Sequence, residues 1–143
     1  MEILSEWGYA AALAFAAIGS ALGAGTAGMA AVGAWKKCFA QNKPAPFMLV
    51  AFVGAPLTQT IYGMILMGAI QDSGADLMTK AGVGILGGIA MGFSAWYQGK
   101  AGASASDALA ETGKGFGNYI IVLGLIETVA LFVMVFLMGA ITK

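Results

Sequence analysis

Apolar residues fall into four long runs separated by short polar stretches. Each run exceeds the roughly 20 residues a helix needs to cross a bilayer, so the pattern predicts spans over 7–35, 46–70, 81–106 and 115–142. Residues 7–35 and 46–70 carry no charge, and 81–99 carry none before Lys100. The chain reads as an all-α integral membrane protein of four transmembrane helices. The stretches between the spans are turn-like: Lys36–Pro44, Gln71–Asp76, and a linker with Asp107, Glu111, Lys114 and three glycines.

An internal repeat organises these spans. Leu66-Met-Gly-Ala-Ile70 recurs 71 positions later as Leu137-Met-Gly-Ala-Ile141, and Ala10, Ile18, Gly28, Ala34 and Lys43 match Ala81, Ile89, Gly99, Ala105 and Lys114 without a gap. The reading is of two tandem hairpins, residues 1–71 and 72–143, in the same orientation. At this offset Glu127 lies opposite Pro56, so only the second hairpin has a carboxylate in its outer span.

Composition narrows the class. The 143 residues are 59% hydrophobic and 10% charged, far below the ~25% charged residues of soluble domains. Seven lysines balance seven acidic residues, with no Arg and no His. That argues against nucleic-acid binding and against imidazole chemistry. Five lysines lie in the two hairpin loops and their flanks, whereas Lys80 and Lys143 lie on the other side. The bias predicts a multi-pass cell-membrane protein with both hairpin loops cytoplasmic and both termini outside. Glu2 and Glu6, with no basic residue, precede the first run, so it reads as a mature span and not a cleaved leader. Cys38 is the single cysteine. A dense ladder of glycines over Gly19–Gly33 suggests a helix crowded on several sides, as in a closed ring.

Polar residues within the spans carry the chemistry. Glu127 sits near the middle of the fourth span, where an ionisable side chain costs at least ~2.5–3.5 kcal/mol and usually marks function. The second span holds Thr58, Gln59 and Tyr62 beside Pro56, which frees the carbonyl of Phe52. The third span holds Gln98. Counted from the lysine-bearing ends, Gln59, Gln98 and Glu127 lie at a common depth of about 14–20 Å, at ~1.5 Å per residue. Singly, each glutamine reads as an interhelical hydrogen bond, Tyr62 as packing, and Thr58 and Thr128 as bonded back to their own helices. Jointly, oxygen donors around one carboxylate fit a hard monovalent cation, Na⁺ before H⁺.

In these residues the chain resembles the proteolipid (c or K) rotor-ring subunit of V-type rotary ATPases, particularly the Na⁺-transporting bacterial kind. The matching motifs are Pro56-Leu-Thr-Gln-Thr-Ile-Tyr62, Gln98-Gly99 and Glu127-Thr128, and the likeness covers essentially the whole chain. Ala55 stands where relatives can have a larger apolar residue, and Leu57 where relatives have glycine. The resemblance implies a homo-oligomeric ring of identical subunits, with the first and third spans inside. It implies Na⁺ ligation by Glu127, Gln98, Gln59, Thr58 and the carbonyl of Ala55, with Tyr62 holding Glu127. It further implies a stator subunit with a basic side chain, central-stalk subunits at the cytoplasmic loops, and no catalysis by the subunit itself. The alternatives are an H⁺-specific ring and a small ion-coupled secondary transporter.

Overall fold

The computed structural model describes residues 2–142, and its regular structure among them is helix alone, with no strand. Met1, Lys143 and the side chains of Glu2, Leu4, Ser5 and Glu6 lie outside this description. The helices are α1 (Glu2–Ala40), α2 (Leu49–Gly54), α3 (Thr58–Asp72), α4 (Leu77–Thr112) and α5 (Phe116–Ile141), with a 3₁₀ turn, Ala55–Leu57, joining α2 to α3. Four segments are long and apolar enough to cross a membrane: Trp7–Ala40, Leu49–Asp72, Leu77–Thr112 and Phe116–Ile141. Multi-pass membrane architecture follows from these four spans.

Two helix ends lie beyond the sequence expectation, for identifiable reasons. Lys36 and Lys37 end the apolar run of the first span but not its helix, which continues to Ala40. Asn42 then takes φ 52°, its N–H donates to Phe39 O, and Lys43 N–H donates to Cys38 O at 2.9 Å. These two bonds on the last carbonyls, with a left-handed residue between them, form a Schellman ending. The loop therefore begins at Gln41, where the sequence reading began it at Lys36. Trp35 Nε1 donates to Pro46 O at 2.7 Å and holds the loop down. Likewise α4 runs on to Thr112 and ends where Gly113 adopts φ 66°, a conformation that a Cβ disfavours.

The most extensive packing joins α1 and α4. Their backbones meet directly. A Cβ placed on Gly19 would fall among the backbone atoms of Gly92, and one on Gly99 among those of Gly23. The second span lies against α1, and α5 lies against α4, with α3 and α5 also in contact. Two apolar clusters divide the bundle along its length. One gathers Ala12, Ala16, Leu66, Ile70, Met91, Ala130 and Met134; the other gathers Ala31, Leu49, Phe52, Ala105, Leu109 and Leu123. Phe52 closes the second cluster with its ring 5.5 Å from Phe116 and 6.2 Å from Tyr119. Gln59 and Gln98, both fully buried, belong to neither cluster.

Candidate functional site

The break in the second span builds one wall of the site. Proline at position 56 has no N–H to donate, and the backbone tightens into the 3₁₀ turn Ala55–Leu57 instead of continuing as α-helix. The turn presents Thr58, whose hydroxyl lies 3.0 Å from Ala55 O and 3.1 Å from Gln59 Oε1 and shares its proton between them. Gln59 then reaches α4: its Nε2 donates to Gln98 Oε1 at 2.9 Å and to Ser94 Oγ at 3.4 Å.

Gln98 passes the connection to α5. Its Nε2 donates to Leu123 O at 2.9 Å and to Glu127 Oε2 at 3.2 Å. Tyr62, one turn beyond Gln59 on α3, donates its hydroxyl to Glu127 Oε1 at 2.8 Å. Each carboxylate oxygen of Glu127 thus accepts one protein donor, from a different helix. Charge-assisted bonds of this kind are about twice as strong as neutral ones. The whole set forms a continuous chain from Ala55 O through Thr58, Gln59 and Gln98 to Glu127, with Tyr62 closing it from the other side.

All six residues singled out from the sequence, Ala55, Thr58, Gln59, Tyr62, Gln98 and Glu127, fall within this connected network. Thr128 stands apart and donates to Gly124 O of its own helix at 2.7 Å. The sequence reading missed Ser94, which accepts from Gln59 and donates to Ile126 O at 2.9 Å. The signal for it was present: Ser94 precedes Gln98 by four residues and shares its helix face.

Burial is graded across the site. Gln59 and Gln98 are inaccessible, Ser94 is buried, and Glu127 and Tyr62 are only half-buried. Leu125 and Val129, beside Glu127 in sequence, are exposed. The carboxylate therefore stands at the outer margin of α5, backed by neutral polar groups. Among the described residues no cluster of three His, Cys, Asp or Glu side chains exists, so the site offers one carboxylate and neutral oxygens. Such a donor set suits a monovalent cation or a proton, and not a soft or imidazole-bound metal.

Residues 81–138 match the family model of the ATP synthase C subunit. The matched segment comprises most of α4 and α5 and includes Ser94, Gln98 and Glu127. The match takes in 58 of the 143 residues, all within the second hairpin. A search of curated proteins found no match.

Proposed function

We propose that this protein is a rotor-ring subunit of a V-type rotary ATPase and carries Na⁺ across the membrane on Glu127. The observation that carries the reading is the chain of oxygen-bearing side chains running from the broken turn at Pro56 to that carboxylate. One bound Na⁺ neutralises the single negative charge, and a neutral site tolerates the lipid that the half-buried Glu127 faces. An unloaded Glu127 is an anion in a poor dielectric and requires a counter-charge, the role of a basic side chain on a stator subunit. The loaded state travels; the unloaded state is held until the stator meets it. Identical copies form the ring, the two hairpin loops face the cytoplasm, and the central stalk docks on them. The protein transports and does not itself catalyse.

The amide orientations define what loading requires. Gln98 turns its Nε2 toward Glu127, and its oxygen accepts from Gln59. A half-turn of both amides exchanges donor for acceptor and brings oxygens toward the carboxylate. In this reading Na⁺ replaces hydrogen bonds within the network, and Thr58 and Ala55 O add two further oxygens. A second reading keeps the amides as they stand: the Tyr62 hydroxyl turns to accept from a protonated Glu127, which carries H⁺ while the amides only position it.

Carbodiimide labelling of Glu127 at fixed pH, titrated with Na⁺, separates the two. Millimolar Na⁺ is expected to slow labelling, and Glu127→Gln to abolish it. Labelling that follows pH but is indifferent to Na⁺ would overturn the sodium assignment and leave the proton carrier.

A further inference from the structure

Among the described residues one buried side-chain polar atom has no hydrogen-bond partner: the hydroxyl oxygen of Ser20 on α1, a residue 2% exposed. Other hydroxyls within the helices behave differently. Thr26, Ser106, Thr112 and Thr128 each donate to the carbonyl four residues back in their own helix, and Ser20 does not. A buried hydroxyl without a partner costs free energy and calls for a reason. A partner that arrives in a second state of the protein is such a reason.

The packing of α1 on the second span places Ser20. A Cβ on Gly63 would lie 2.7 Å from Ala16 Cβ, and one on Gly23 would lie 2.9 Å from Pro56 Cβ. The two spans therefore run antiparallel, with Ala16 against Gly63 and Gly23 against Pro56. Ser20 stands four residues after Ala16 and three before Gly23; Gln59 stands four before Gly63 and three after Pro56. Residues three and four apart share a helix face, so this register sets Ser20 opposite Gln59, the fully buried amide of the site. A Cβ on Gly23 would also meet Ala95 O of α4. This face of α1 thus looks into the crevice between α4 and the second span, where the network lies.

The hydrogen-bond demand of Gln59 changes with loading. As it stands, its Nε2 gives two N–H donors to Gln98 Oε1 and Ser94 Oγ, and its Oε1 accepts from Thr58. The half-turn that aims Oε1 at a cation carries Nε2 to the Thr58 side, away from both acceptors. Thr58, with its own oxygen on the ion, takes at most one of the two N–H groups. Ser20 Oγ is the acceptor for the other. Its own proton then goes to Ala16 O, the bond that the other helix hydroxyls make.

We propose that Ser20 is a positioning residue of the ion site, whose hydroxyl accepts the Gln59 N–H freed on loading and so holds the Gln59 oxygen on Na⁺. This rests on the sodium reading of Glu127 given above.

The test is carbodiimide labelling of Glu127 in the full-length protein at fixed pH, titrated with Na⁺, together with thermal unfolding in Na⁺-free buffer. Ser20→Ala should raise the half-protecting Na⁺ concentration about fivefold, the size of one neutral hydrogen bond. Its unfolding temperature without Na⁺ should be no lower than that of the native protein, because the hydroxyl makes no bond in that state. In the Gln59→Leu background Ser20→Ala should add nothing, since the amide it serves is gone. Unchanged half-protection in Ser20→Ala, or a fivefold rise that persists on top of Gln59→Leu, would overturn the role of Ser20 and leave the sodium site standing. A lower Na⁺-free unfolding temperature of Ser20→Ala would show a bond already made in the unloaded state, and would overturn that role too. Labelling of the native protein that is indifferent to Na⁺ would instead overturn the sodium reading, and this inference with it.

Discussion

The central pair of helices, α1 and α4, and the flanking pair, α3 and α5, differ in how they use small residues. In the central pair glycine is a contact residue: Gly99 has no room for a Cβ because Gly23 occupies it. In the flanking pair Gly63 alone is such a contact, against Ala12 and Ala16 of α1, and Gly68, Gly124 and Gly139 meet nothing on the side where a Cβ would stand. Polar groups show the reverse trend. Those of the flanking pair, Gln59, Tyr62 and Glu127, reach inward or toward each other to form the site, with Gln98 and Ser94 of α4 as the link. A rigid, closely packed centre fixes the position of Gln98, and the flanking helices bring the ionisable group to an exposed margin. Backbone contact provides the frame, and side-chain hydrogen bonds provide the site.

The largest expected effect lies in the frame. Gly99→Leu forces a side chain into the backbone of Gly23, which cannot give way as a side chain end would. Overpacking of this kind costs at least ~1–3 kcal/mol, so loss of monodisperse folded protein, or a marked fall in thermal unfolding temperature, is expected. Gly124→Ala, in open space on α5, should stay within about 0.5 kcal/mol of the native protein, as surface substitutions do. Comparable losses in the two variants would break the contrast between centre and flank.

Within the site, the same contrast ranks the two donors to Glu127. Gln98 is fully buried on the central helix, and Tyr62 is half-buried on a flanking one. Gln98→Leu removes the donor to Glu127 Oε2 and leaves Gln59 Nε2 without its 2.9 Å partner. It also removes the amide oxygen that turns to the ion on loading; with about 1.5–3 kcal/mol for a bond to a charged group, the ion concentration that half-protects Glu127 from carbodiimide should rise about ten- to a hundredfold. Tyr62→Phe removes one donor, and removes it where surroundings can compensate. A rise of about three- to tenfold is expected, about 0.7–1.4 kcal/mol and so below that range. A larger effect of Tyr62→Phe than of Gln98→Leu would invert the assignment of the buried amide as the principal partner.

Much of this was legible because membranes make polar residues conspicuous. Glu127, Gln98 and Gln59 stand out within apolar runs, and a count of rise per residue was enough to set them at one depth. The repeat was legible too, but equivalence in the repeat is not contact. It aligns Gly28 with Gly99, whereas Gly99 meets Gly23. Equivalent positions in duplicated hairpins are related by the movement that superposes the hairpins, so they do not face one another. The end of α1 was misplaced because the change from apolar to charged at Lys36 marks a change of surroundings, and a helix ends only where its last carbonyls find other donors, here through Asn42. The orientation of the Gln98 amide was beyond reach of spacing alone, since it depends on Gln59, Leu123 and Glu127 together.

The smallest effect tests the ends of the helices. The central α4 begins with a side-chain cap, in which Asp76 Oδ1 accepts the N–H groups of Met78 at 3.0 Å and Thr79 at 3.1 Å. Its Oδ2 accepts the Thr79 hydroxyl at 2.6 Å. The flanking α5 begins at Gly115 with no side-chain cap. The Thr79 hydroxyl foremost, then the Thr79 and Met78 N–H groups, hold the Asp76 carboxyl below its ordinary value. A carboxyl depressed in the folded state stabilises it fully above the unfolded value of about 3.9 and loses that contribution as pH falls through the lower folded value. Acidification below about pH 4 should therefore loosen the first turn of α4, seen as faster amide exchange at Met78 and Thr79 after correction for the intrinsic rate. The first turn of α5 should show no such change. Asp76→Asn keeps an acceptor for the cap but cannot titrate, so its exchange at Met78 and Thr79 should be insensitive to acid; Asp76→Ala should be loose at every pH. Acid loosening that persists in Asp76→Asn would show that the start of α4 is held by something other than this carboxylate.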